Sequence, residues 1–254
     1  MGQTSTDTID ITLRFYGDLL DLLYRTPDGL ILERKLPEPT SVKDLIEGCG
    51  VPHTEVDLIL SDGHPVDFSA LVKGGEHISV YPFFNSLTIS SEYRLQIPTP
   101  ENPSFIVDVN LGKLARYLRL AGFDTAYQNN IEDHELIEIM LEENRTLLTR
   151  DRKLLMRKTV KSGYLPRSDD PGEQLEEVLK RFDLFDEVNP YSRCINCNGS
   201  LESVSKEEII DELEPLTKKY FDEFSQCPDC GQLYWKGSHR ERLQPKVKEI
   251  LGLN

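Results

Sequence analysis

The sequence predicts a multidomain chain that joins α+β and α/β architecture to a cysteine-built module near its C-terminal end. Three observations carry this reading. Over about 80 N-terminal residues the periodicity runs strand, strand, short helix, strand, strand, the order of a small α+β roll. From Ser104 onward, short apolar strands alternate with amphipathic helices, the pattern of a parallel sheet with helices on both faces. Four of the five cysteines fall into two Cys-x-x-Cys pairs, Cys194/Cys197 and Cys227/Cys230.

Residues 9–16, IDITLRFY, alternate polar and apolar as a half-buried strand does. The turn Thr26-Pro27-Asp28-Gly29 leads into a second strand at 30–36. Ser41, with Asp44 three residues on, reads as the capped start of a helix that ends near Gly48. Strands follow near 58–60 and 77–81, with a turn at Gly74-Gly75. Pro98, Pro100 and Pro103 mark residues 93–102 as an extended linker. Residues 105–108 then form a short apolar strand ending on an acid. Leu111, Leu114, Ala115 and Leu118 follow at helical spacing, and Gly122 stops that helix. A strand at 123–126, a helix at 133–144, a strand at 145–149 and helices at 152–158 and 172–182 complete this part. An acidic helical segment, 206–220, separates the two cysteine pairs. The predicted domains are residues 1–92, the linker 93–102, and residues 103–189 and 190–254.

The chain has 254 residues, a net charge of −15 and 38% apolar residues, which is a globular rather than a disordered composition. No stretch reaches the ~18 apolar residues of a membrane span. The opening MGQTSTDTID lacks the basic and apolar regions of a secretory signal, so a cytoplasmic location without membrane partners is expected. In such a compartment paired cysteines argue for metal rather than disulfides. Charge is unevenly spread: residues 1–102 carry −9, residues 103–171 are neutral and residues 172–254 carry −6. Within the middle block, residues 145–167 hold Arg145, Arg150, Arg152, Lys153, Arg157, Lys158, Lys161 and Arg167 against one acid, Asp151. This run is either a polyanion contact or a solvated helix face.

Cys194, Cys197, Cys227 and Cys230 supply the four thiolates of a closed tetrahedral zinc site, with Gly199 and Gly231 placed to help the two bends. Four unrelated thiols would not show paired spacing. Cys49 stands alone and reads as a small buried residue. Asp108 and Asp151 each follow a predicted strand, and Asp133 and Glu135 open the helix between them. In an open parallel sheet, these positions gather at the carboxyl edge, where ligands bind. Clustered carboxylates call for a hard cation, magnesium or manganese. Each acid also has a plain reading, as a helix cap, a helix-dipole partner or a turn former. Arg116, Arg119, Arg150 and Arg152 are candidate phosphate contacts or surface cations, and Arg119 alternatively a member of a buried structural ion pair. Tyr234 and Trp235 could stack a base or support the zinc site, and His239 could contact phosphate or serve structure.

The segments FIVDVNLGKLARYLRLAGFDTAY and DHELIEIMLEENRTLLTRD, both cysteine pairs and LYWKGSH together resemble the Mut-seven C-terminal RNase family. That family joins a PIN-like nuclease domain to a zinc ribbon. Phe15-Tyr16-Gly17 and GEHISVYPFF resemble the ubiquitin-like sulfur-carrier fold, a module that some members carry at the N-terminus. Gly74-Gly75 is internal here, so that likeness concerns fold and not thiocarboxylate chemistry. The resemblance implies a metal-dependent ribonuclease acting on RNA, with magnesium or manganese at Asp108, Asp133 and Asp151 and with Glu135 as a fourth acid. Asp169 or Asp170 would be the late acid of a PIN-like domain. The ubiquitin-like module would take a protein partner. The alternative is a non-catalytic adaptor for RNA or protein, built around structural zinc.

Overall fold

A computed structural model describes residues 8–25, 31–84, 90–235 and 243–252. The turn expected at 26–29, His239 and the basic positions Arg240 and Arg242 lie outside the described residues. The chain folds as two compact units: residues 1–98 with 151–165, and residues 99–150 with 166–254. Among the described residues no helix is long and apolar enough to cross a membrane.

The first unit opens with strands β1 (Ile9–Phe15), β2 (Leu32–Leu36), β3 (Thr40–Ser41), β4 (Val56–Ser61), β5 (His64–Pro65), β6 (Leu71–Val72) and β7 (His77–Pro82), and helix α1 (Val42–Glu47). Five strands form a mixed sheet in the order β2-β1-β7-β4-β5, and β3 pairs with β6. The alternation read in the sequence sets the buried face: Ile11, Leu13 and Phe15 of β1 and Ile78 and Val80 of β7 point inward, with Val42, Leu45 and Ile46 of α1 in the same core. Ser41 caps α1 as its spacing predicts, its Oγ accepting from Asp44 N at 3.1 Å. Cys49 is buried in this core and donates to Leu45 O at 3.3 Å; burial raises its thiol pKa.

The expected linker departs from the extended, solvated form. Residues 94–96 are stitched onto β4: Leu95 N donates to Asp57 O at 2.8 Å, and Gln96 Nε2 donates to Val56 O at 2.6 Å and His53 O at 3.0 Å. Arg94 forms an ion pair with Asp57, whose side chain is 0% exposed. A fully buried carboxylate needs such a partner, and Arg94 supplies it.

The second unit holds β8 (Ser104–Val107), α2 (Gly112–Leu120), β9 (Asp124–Ala126), α3 (Asp133–Glu142) and β10 (Thr146–Leu148). The three strands run parallel in the order β10-β8-β9. From β8 the chain crosses one way to β9, then back past β8 to β10. Right-handed crossovers in opposite directions place α2 and α3 on opposite faces. Gly122 ends α2 with φ +101°, a left-handed residue just past the helix end.

Helix α4 (Arg152–Leu155) and strand β11 (Gly163–Tyr164) follow, and their segment, 151–165, belongs to the first unit rather than to the expected 103–189 domain. The second unit continues with α5 (Pro171–Phe182), which packs against α2. It ends with β12 (Glu202–Val204), α6 (Pro215–Tyr220), β13 (Phe224–Gln226), β14 (Leu233–Trp235) and α7 (Pro245–Ile250). Strands β12-β13-β14 form an antiparallel sheet over a small core of Ile209, Leu213 and Phe224. The acidic segment at 206–220 is only partly α-helical, because Pro215 can occupy the first turn of α6 but cannot donate within a longer helix.

Removing Arg94 leaves Asp57 buried and without its cation. Arg94→Ala is expected to cost about 3–5 kcal/mol. This reads as a lower urea midpoint at an unchanged denaturant slope.

Candidate metal centre and active site

The two cysteine pairs form matching knuckles. In the first, Cys194 N donates to Gly199 O at 2.7 Å and Asn198 N to Cys194 O at 3.0 Å. In the second, Cys227 N donates to Gln232 O at 3.0 Å and Gly231 N to Cys227 O at 2.8 Å. The residue after each pair is left-handed, with φ +75° at both Asn198 and Gly231. Asn tolerates that conformation, so the first bend is made by Asn198 and not by Gly199. Room at Gly199 is tight: a Cβ there would lie 2.1 Å from Oδ2 of the exposed Asp229 side chain, which would have to swing away, and 3.1 Å from Cys227 Sγ.

The four sulfurs lie within 4.8 Å of one another, the one such group of metal-capable side chains among the described residues. Cys194 and Cys230 sulfurs are 3.6 Å apart, and Cys197 and Cys227 sulfurs 3.3 Å. Tetrahedral coordination at ~2.3 Å gives sulfur separations near 3.8 Å, so the cluster can hold a zinc-sized ion. Tyr234 is 2% exposed. Its hydroxyl accepts from Ile195 N at 3.0 Å and lies 3.2 Å from Cys194 Sγ, so it braces the knuckle and offers no face to a base. Burial raises the Cys194 thiol, but the Cys197 and Asn196 amides and the Tyr234 hydroxyl outweigh it and bring the pKa down to about 6. Trp235 is half-buried beside Phe221.

The first knuckle is tied to the parallel sheet. Arg119 on α2 is 5% exposed and donates from Nε to Thr125 O at 2.9 Å. Its Nη1 donates to Ile195 O at 3.1 Å and Asn196 O at 2.8 Å. Arg119, 5% exposed and with Nε and Nη1 given to backbone carbonyls, fits the structural role better than that of a phosphate contact. Asn198 Oδ1 accepts from Thr125 N at 2.9 Å, and its Nδ2 donates to Asp124 Oδ1 at 2.8 Å. Asp124 also takes Arg145 at 2.6 Å and Arg193 at 3.8 Å. Nothing in the local sequence marks Asp124; Asn198 is marked only by following a cysteine pair.

The acids stand as follows. Asp108 follows β8, is 9% exposed and accepts from Thr149 Oγ1 at 2.6 Å through Oδ2. Its amide donates to Leu148 O at 3.0 Å, which places it where β8 and β10 end side by side. Asp133 opens α3 and is exposed, but the cap is Glu132. Glu135 closes the capping box, its Oε2 accepting from Glu132 N at 3.1 Å. Asp151 caps α4, its Oδ1 accepting from Lys153 N at 2.8 Å and Leu154 N at 3.3 Å. Asp169 pairs with Arg150, and Asp170 caps α5. Among the described residues of the second unit, Asp108, Asp133, Glu135, Asp169 and Asp170 form no metal-sized group. Of the remaining basic candidates, Arg116 is exposed, and Arg152 in the first unit donates to Leu22 O at 2.7 Å.

Burial would raise the Asp124 carboxyl, but Arg145 and Asn198 hold it below the usual range. A depressed carboxyl stabilises the fold fully above its unfolded value, ~4, and loses that contribution as pH falls through the folded value. Asp124→Asn is expected to cost about 2 kcal/mol at neutral pH. Its stability should also fall less steeply than that of the wild type below about pH 4, as read by chemical unfolding across pH.

Two family models match the chain: the Mut7-C RNAse domain over residues 103–247 and the Mut7-C ubiquitin over residues 8–88. No curated protein matches it. The first match spans more than half of the chain and includes Asp108, Asp133, Asp151 and all four cysteines. The chain belongs to the Mut7-C RNAse domain family, with a Mut7-C ubiquitin module ahead of that domain.

Proposed function

We propose that the protein is a metal-dependent ribonuclease whose acids are Asp108, Asp133 and Asp151, with Glu135 as a fourth. The observation that carries this reading is Asp108. It is a nearly buried carboxylate at the carboxyl end of the central parallel strand, oriented by Thr149 from the end of the neighbouring strand. The chain leaves β8 toward β9 while β10 lies on the other side, and such reversals form the ligand crevice of open parallel sheets. Asp133 begins the helix after β9, and Asp151 lies three residues beyond β10. This donor set suits magnesium or manganese. When bound there, such an ion would supply activated water and neutralise phosphate charge. Thr149 orients Asp108, and the α4 cap orients Asp151. Arg116 and Arg150, with the cations of 151–165, meet RNA phosphates. Zinc on the four cysteines is structural, since four thiolates leave no open position.

A second reading, a non-catalytic adaptor, draws on the complete capping roles of Glu135 and Asp151. Cleavage of labelled single-stranded RNA in manganese separates the two. Asp108→Asn and Asp151→Asn are each expected to lower the rate by about 100-fold or more, and Asn still caps α4. Zinc should remain at one ion per chain in both and be lost in Cys197→Ser. Equal cleavage by all three proteins, or none by the wild type, would sink the nuclease reading.

A further inference from the structure

Residues 51–59, VPHTEVDLI, are buried without a break although they include His53, Thr54, Glu55 and Asp57. Polar side chains are buried at a cost unless partners meet them. Residues 94–96 answer Asp57; the segment 151–165 answers His53 and Glu55, while the Thr54 hydroxyl is buried without a partner among the described residues. His53 Nε2 lies 2.7 Å from Val160 O, and its Nδ1 lies 2.7 Å from Glu47 Oε1. Val160 O can only accept, so Nε2 donates to it. Glu55 Oε1 accepts from Leu165 N at 2.7 Å, with both groups buried. At the other end of the segment, Arg152 donates to Leu22 O, and its guanidinium carbon stands 5.7 Å from the Tyr24 ring centroid. The inner side of the segment buries Leu154, Leu155, Val160, Tyr164 and Leu165. Its outer side exposes Lys153, Arg157, Lys158 and Lys161, with Asp151 at its head.

A segment with four like charges in nine residues repels itself and, left alone, samples many conformations. Here a buried histidine and a buried glutamate hold its middle and its end from behind. We infer that the Mut7-C ubiquitin module is a scaffold for this segment, and that His53 and Glu55 are positioning residues that hold Asp151 and the exposed cations in one conformation. Asp151's catalytic part in this rests on the proposed nuclease activity; the grip on the segment does not. The module then serves its own chain, where the sequence suggested an outside protein partner.

The test uses the full chain with His53→Gln, Glu55→Ala and Glu55→Gln, followed by amide hydrogen exchange and by manganese-dependent RNA cleavage. Gln at position 55 keeps an acceptor for Leu165 N, and Gln at position 53 keeps a donor for Val160 O. Glu55→Ala is expected to speed exchange across 151–165 by about tenfold or more, to lower kcat about tenfold and to raise KM severalfold. A mere loss of folded protein lowers apparent kcat and leaves KM alone. Both Gln variants should stay near the wild type in both measurements. Unchanged exchange in Glu55→Ala overturns the inference, as does faster exchange with unchanged cleavage by an active enzyme. A wild type that cleaves nothing defeats the nuclease reading and Asp151's catalytic part together, while the exchange pattern still reports the grip on its own.

Discussion

The buried Arg119 guanidinium is the interaction on which the second unit depends. Taking a cation out of water costs several kcal/mol, and burial accordingly lowers the Arg119 pKa. Three backbone carbonyls offset that cost: one from β9 and two from between the first pair of cysteines. The Cys194 and Cys197 sulfurs contribute negative charge beside it. A ribbon whose own core is Ile209, Leu213 and Phe224 has little apolar burial with which to order itself. Two features outside that core can order it: four sulfurs placed so that they could hold an ion, and a cation on α2 that fastens one knuckle to the sheet. Asp124 and Asn198 complete the same seam. Metal centre and sheet edge are therefore coupled, and a disturbance of the knuckle reaches β9 through hydrogen bonds rather than through loose packing.

The first unit rests on a similar logic carried by different groups. Its roll buries a stretch that reads as polar in sequence, because two other parts of the chain lie over it. The chain just after the roll covers Asp57; residues 107 and 110 positions later cover His53 and Glu55. Covalent order and compact unit part company at 151–165 for this reason. The exchange is specific: His53, Glu55 and Asp57 each have a partner of the matching kind, acceptor for donor.

What was legible in the sequence was local. Ser41 with Asp44, the apolar face of α2, the stop at Gly122 and the two cysteine pairs each declare themselves within a few residues, because caps, periodicity and chelation act over one or two turns of chain. The parallel sheet was legible as alternation. What could not be read was the set of partners for charged groups. Arg119 bonds to carbonyls 76 and 77 positions away, and a carbonyl is offered by every residue, so no pattern announces it. Arg145 looked like part of a basic run but belongs to Asp124. Gly199 stands where glycine usually helps such a turn, but the left-handed residue there is Asn198. The docking of 94–96 was hidden by three prolines, which predict extension correctly and say nothing of what the extended chain lies against.

The capping roles of the acids bear on catalysis in a way that their separate descriptions conceal. A carboxylate that accepts from backbone amides, as Asp151 does, has its rotamer set by those bonds and keeps further lone pairs for other donors or a cation. The same holds for Asp108 under Thr149 and for Glu135 within its capping box. Preorganisation of this kind is what an active site requires, since a side chain that must be ordered at the moment of reaction loses rate. On the proposed nuclease reading, cap and ligand would be successive uses of one geometry. The two functional readings differ in whether the negative charge itself is used, and an amide of the same shape keeps the cap while removing that charge.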